Sequence, residues 1–219
     1  MFITPLLLSL TLSCSSAGDP IPKILKAVSA KRLVSDVETL VGFGTRHSMS
    51  DTLDKKRGIG AARRWLLEEM EDISDASGGR LEAEEQRFTV TIRGTEVELV
   101  NIYGFLPNRN ADPDARTYIV SGHYDSRASD AMDATSDAPG ADDDGSGTAV
   151  VLELARVLAP HEFNANLIFL CADGEELGLY GSKHFAKWVA EEGLIVDGMI
   201  TNDIVGGIEG GNGIIDEET

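Results

Sequence analysis

Three adjacent carboxylates, Asp142, Asp143 and Asp144, stand in the stretch Pro139-Gly140-Ala141-Asp142-Asp143-Asp144-Gly145-Ser146-Gly147, just ahead of an apolar helical run. Like charges side by side repel, so a loop holds them either because water screens them or because a cation neutralises them. The triplet alone leaves both readings open. Its company is more informative: His123 and Asp125 lie upstream, Glu175, Glu176 and then Asp203 downstream, each at or just past the end of a short apolar run of strand type. Taken singly, a His-x-Asp is more often a surface pair, a Glu-Glu pair a solvated face, and Asp203 a plain strand end. Their recurrence at successive strand ends favours a metal site.

One imidazole with several carboxylates suits a borderline cation such as zinc, and a catalytic site keeps one coordination position for water. His123 and Asp125 are two apart on an extended segment, so both side chains fall on one face. His123 can then bind metal while Asp125 fixes its tautomer. Glu175 and Glu176 are adjacent and point differently, so one can ligate while the other reaches a bound water as general base. Without a cation, this many gathered carboxylates would raise one another's pKa values and cost stability.

The elements that must position these groups follow from pattern. Apolar residues from Ile24 to Val41 fall near helical spacing over parts of Lys23 to Val41, with Gly42 and Gly44 as stops. Thr45 to Lys56 reads as a polar turn. Ile59, Ala62, Leu66 and Met70 mark one face of a second helix, and Ser74 to Gly79 reads as a loop. Phe88, Val90 and Ile92 alternate with polar residues, Arg93-Gly94 breaks the run, and Val97 and Leu99 resume it, which predicts a β-hairpin. From Thr117 the pattern becomes strand, loop, helix, strand: strands at Tyr118 to Val120 and Leu167 to Leu170, helices at Val150 to Leu158 and Leu179 to Glu191, and a last strand within Ile195 to Val205. Such alternation predicts an α/β fold, a three-layer αβα arrangement on a mixed, mainly parallel sheet, with functional groups beyond the carboxyl ends of the strands.

The 219 residues hold one sizeable core or one domain plus an extension, and 42% hydrophobic with 26% charged residues is the balance of a soluble globular chain. A net charge of −18 argues against a nucleic-acid partner, which needs a basic face. Met1 to Ala17 carries no charged side chain around the apolar centre Leu6 to Leu12, too short to span a bilayer, and Ser15-Ser16-Ala17 offers a cleavage site. Residues 1–17 therefore read as a signal peptide, residues 18–219 as the catalytic domain, and the protein as secreted or periplasmic, with no transmembrane span. Cys14 gives an alternative, a lipoprotein anchor. Cleavage after Ala17 would leave Cys171 alone in an apolar strand, where it reads as a buried free thiol.

The segments Ser121-Gly-His-Tyr-Asp-Ser126, Pro139 to Gly147, Ala172-Asp-Gly-Glu-Glu-Leu-Gly-Leu-Tyr-Gly-Ser182 and Asn202-Asp203 resemble the di-zinc exopeptidases typified by bacterial leucyl aminopeptidase. The resemblance covers Val41 to Gly207. It implies that His123 and Asp203 hold one zinc, that Asp143 bridges two, and that Glu176 binds the other. It further implies Glu175 as general base, Asp125 as the partner of His123, a cis Asp143–Asp144 peptide, and peptides with a free amino terminus as substrates. The family pattern also needs a further His ligand well downstream of Asp203. His47, His161 and His184 lie elsewhere, so the sequence reads as C-terminally truncated, with the last part of the sheet missing. Two other functions stay open beside the aminopeptidase: a glutaminyl-cyclase-like enzyme using a single zinc, and a non-catalytic member of the family.

Overall fold

The computed structural model describes residues 20–207. The expected leader, its cleavage site and Cys14 lie outside the described residues. The first helical stretch is two helices, α1 (Ile21–Ala27) and α2 (Ala30–Gly42), because Val28 is extended and the Ser29 hydroxyl caps the second by accepting the Arg32 amide at 3.3 Å. Helix α3 (Ile59–Ala76) runs on through Ser74, where the sequence suggests a loop. Ile73 is buried in the core, so the last turn has an apolar side to keep.

Strands β1 (Glu82–Ile92) and β2 (Thr95–Leu106) form the expected hairpin, paired from Ile92 opposite Thr95 to Glu82 opposite Phe105. Its turn, Arg93-Gly94, takes positive φ at both residues (48° and 86°), the twist that suits a two-residue hairpin loop. β3 (Arg116–His123), α4 (Gly147–Leu158), β4 (Asn166–Ala172), α5 (Tyr180–Glu191) and β5 (Ile195–Thr201) complete the described chain. No helix among the described residues is long and apolar enough to cross a membrane.

The five strands make one mixed sheet in the order β1-β2-β4-β3-β5. β3 is parallel to β4 and to β5, while the hairpin adds antiparallel pairs, β1 with β2 and β2 with β4. The sheet is covered on both faces, as a three-layer fold requires. On one face Leu66 and Met70 of α3 and Leu152 and Ala155 of α4 pack with Ile102, Phe169 and Cys171; on the other Phe185 and Val189 of α5 pack with Tyr103, Ile168 and Leu170. β4 thus feeds both cores in alternation, which is why its sequence is a continuous apolar run. Cys171 is a buried free thiol. The parallel strands β3, β4 and β5 deliver their carboxyl ends to one edge of the sheet.

Candidate metal centre

At that edge His123 is the last residue of β3, Glu175 and Glu176 follow β4, and Asp203 follows β5. One donor atom from each of His123, Asp143 and Asp203 lies within 4.8 Å of the others. From His123 Nε2 the carboxylate oxygens of Asp143, Glu175 and Asp203 stand at 3.2, 3.8 and 4.0 Å. The other ring nitrogen, Nδ1, faces Asp125, whose backbone oxygen is 3.1 Å away and whose carboxylate Oδ1 is 3.4 Å away. With a proton on Nδ1 and a cation in place of the one on Nε2, the Nε2 lone pair becomes a metal donor, the tautomer a metal ligand needs.

The aspartate triplet divides into three tasks. Asp143 is exposed and faces His123 Nε2. Asp144 turns inward: it is buried, and its two oxygens accept the His123 amide at 3.0 Å and the Gly147 amide at 2.8 Å, so α4 begins three residues before the apolar pattern does. Asp142 accepts the Gly206 amide at 2.8 Å, and Ser146 Oγ accepts the Val205 amide at 3.1 Å; these two bonds fasten the segment after Asp203 to the triplet loop. The Asp143–Asp144 peptide is cis.

Asp125 is the hub behind His123. Its Oδ1 accepts the Glu175 amide at 3.1 Å and its Oδ2 the Glu176 amide at 3.2 Å, so one buried carboxylate orients both the imidazole and the Glu175-Glu176 backbone. Deeper still, Asp173 accepts from Ser48 Oγ at 2.8 Å, from Arg63 Nη2 at 2.8 Å and from the Val100 amide at 3.1 Å, with the Tyr124 hydroxyl at 3.0 Å. Arg46 is fully buried, yet it meets no carboxylate. Its guanidinium donates to the carbonyls of Tyr124, Leu40, Pro139 and Gly140 at 2.7, 3.0, 2.6 and 2.8 Å, tying the strand end that bears His123 to the loop that bears Asp143.

The charges explain why a cation suits the place. Burial pushes the Glu176 carboxyl up to about 7, with Asp143 and Asp125 adding repulsion, and burial likewise raises Glu175. Burial also lifts Asp144 to about 6, against the pull of His123. For His123 burial works downward, but the carboxylates of Asp125, Asp144 and Glu175 outweigh it and hold the ring up to about 10. A proton is therefore partly neutralising this acidic group. A divalent cation held by the same nitrogen and oxygens does so more fully, and one imidazole with carboxylates is a donor set that fits zinc.

The structure therefore brings together His123, Asp143 and Asp203, with Glu175 beside them and Asp125 behind. Glu176 stands outside the group of three, its Oε2 3.5 Å from Arg127 Nε. His47 is buried with both ring nitrogens engaged, Nε2 by the Ala131 carbonyl and Nδ1 by the Met49 amide, and His184 stacks on Phe88. Sequence reasoning missed Arg46, Ser48, Arg63 and Asp173. Asp173, at the end of an apolar strand and beside Gly174, was the one with a readable signal.

A model of peptidase family M28 matches residues 101–213. A probable zinc metalloprotease of Pyricularia oryzae is 42% identical over 198 residues, covering 89% of this chain and 39% of that protein. A probable leucine aminopeptidase of Trichophyton verrucosum is 33% identical over 207 residues, covering 90% of this chain and 50% of that protein. The crystal structure of a glutaminyl cyclase from Fimbriiglobus ruber superposes with a TM-score of 0.62 at 24% identity, over 80% of this chain and 61% of that one, a likeness of fold. The chain spans half or less of the length of these two curated relatives.

Proposed function

Because the chain belongs to peptidase family M28, we propose that its strand-end site serves a zinc-dependent aminopeptidase, which removes the first residue of a peptide with a free amino terminus. The observation that carries the reading is the convergence of His123, Asp143 and Asp203 within 4.8 Å, with Glu175 Oε2 3.8 Å from the same imidazole nitrogen. His123 Nε2, Asp143 and Asp203 would hold one zinc, and Asp143 with Glu176 would serve a second. Zinc, when bound, polarises a carbonyl and lowers the pKa of water.

The remaining work falls to side chains. Glu175 takes the proton of the attacking water and passes it to the leaving amine, a role that suits a carboxyl raised above its ordinary value by burial, since that strengthens it as a base. Asp125 keeps Glu175 in place through the peptide amide and keeps His123 in its ligating tautomer. The free α-amino group of the substrate would bind beside this centre, which restricts the reaction to the first peptide bond. The leader-like stretch Met1 to Ala17 supports export, with Cys14 as the alternative lipid anchor.

The test is hydrolysis of a leucyl peptide and of its N-acetylated counterpart, with zinc counted in the same sample. Release of leucine from the free peptide alone, by protein carrying one or two zincs, is the expected result. Equal cleavage of the acetylated peptide, or no zinc bound, overturns the reading, and ring closure of an N-terminal glutamine without hydrolysis replaces it with a cyclase.

A further inference from the structure

On the face of the sheet covered by α5, a cavity of about 250 Å³ opens between the hairpin and the helix. Its walls are aromatic: Tyr103 and Phe105 from β2 and Trp188 from α5. Around it stand three carboxylates, Glu82 and Glu84 on β1 and Glu192 just after α5. None of the three makes a side-chain hydrogen bond or ion pair among the described residues. Tyr103 is only 9% exposed, its ring packed at 5.1 Å on Phe185 and 5.6 Å on Trp188, and its hydroxyl, on a residue lining the cavity, has no partner among the described residues. Burial and the three glutamates push that phenol up to about 12, so it stays neutral.

Exposed glutamates are ordinary in a chain of net charge −18. Three of them around an aromatic-walled cavity, with an unpartnered hydroxyl on an otherwise buried tyrosine, match one kind of group. We infer that this cavity binds an alkylammonium or guanidinium cation. Its apolar stem lies against Phe105 and Trp188, the charge sits between ring faces and carboxylates, and an N–H donates to the Tyr103 hydroxyl oxygen. The site is separate from the metal centre. Tyr103 pairs with Leu170 and Phe105 with Ile168, while the residue opposite His123 is Ala172. The cavity thus lies two to four residues back, about 7 to 13 Å along the strand at roughly 3.3 Å per residue. The cation has two sources, a lysine or arginine side chain of a peptide or a free polyamine.

Calorimetric titration of the zinc-loaded chain with n-butylammonium chloride, and with n-butanol at matched ionic strength, tests the site. Butylammonium is expected to bind saturably and at least about ten-fold more tightly than the neutral alcohol. The double variant Glu84→Gln, Glu192→Gln should weaken it at least about ten-fold, with thermal unfolding and zinc stoichiometry unchanged. Tyr103→Phe should weaken butylammonium but not tetramethylammonium, which has no N–H to donate. Tighter binding of N-acetyl-lysine methylamide than of spermidine assigns the site to a peptide side chain, and the reverse to a polyamine. Equal binding of n-butanol, no saturable binding, or butylammonium binding unmoved in the double glutamine variant overturns the inference, the last because it would place the amine at the metal centre.

Discussion

Replacing Asp125 by Asn removes one charge and one acceptor from the hub of the site. The native carboxylate accepts the Glu175 amide with one oxygen and the Glu176 amide with the other, at 3.1 and 3.2 Å. An asparagine keeps one carbonyl oxygen and offers an NH2 in the second place, so whichever way it is turned one backbone N–H faces a donor. A half-buried amide left without its acceptor costs about 1 to 3 kcal/mol, and the surviving bond loses its charge assistance, about 1 kcal/mol more. The sum is about 3 kcal/mol, which for a chain of this size lowers the unfolding midpoint by about 6 to 12 °C. The assay is thermal unfolding of the metal-free chain in chelator, followed by circular dichroism. A fall of less than about 2 °C would show that the Glu175 and Glu176 amides find other acceptors, and would remove the basis for calling Asp125 their anchor.

Three further outcomes are expected. Glu175→Gln should leave zinc affinity within a factor of about three while lowering peptide hydrolysis by about 10² to 10⁴, read by calorimetry and by product release; full activity would exclude it as the base. Arg46→Met strips hydrogen bonds from the carbonyls of Leu40, Tyr124, Pro139 and Gly140. It should destabilise the metal-free chain by about 3 kcal/mol and weaken zinc binding, with Arg46→Lys intermediate in urea unfolding. His184, stacked on Phe88 at 4.0 Å, has its pKa lowered from the ordinary 6.5 by burial and by Lys187. The unfolded chain therefore takes up its proton first as pH falls. Its contribution is intact above pH 6.5 and is lost as pH drops through the lower folded value, so the decline in melting temperature between pH 8 and pH 5 should be shallower in His184→Phe.

Much of this was legible in the residues because each chemical group sits at the end of an element with its own pattern. His123 and Asp125 follow a short β-branched strand, Glu175 and Glu176 an apolar run flanked on both sides in the sheet, and period-2 alternation marked the hairpin from Phe88 to Leu99. What was hidden is what tertiary structure alone creates. Arg46 and Ser48 lie in a stretch that reads as a polar turn, yet both are buried, because an arginine side chain can satisfy carbonyls from three separate segments at once. The Asp triplet is uniform as sequence, and only the fold separates the residue that faces the site from the one that caps α4. The break at Val28 and the extension of α3 to Ala76 reflect which turns find a core to bury against, a quantity no local propensity contains.

The fastening of the triplet loop sets where the chain tolerates a change of length. Between Pro139 and Gly147 the backbone is gripped at both ends, by Arg46 on the Pro139 and Gly140 carbonyls and by Asp144 on the Gly147 amide. One inserted residue there would hand the inward place of Asp144 to a neighbour and turn the wrong carboxylate outward. The preceding stretch, Arg127 to Asp137, is mostly exposed and closed by its own short turns, such as the amides of Thr135 and Ser136 on Asp133. It lies beside Glu176 through Arg127. Insertions that leave the group of His123, Asp143 and Asp203 undisturbed therefore belong in that stretch.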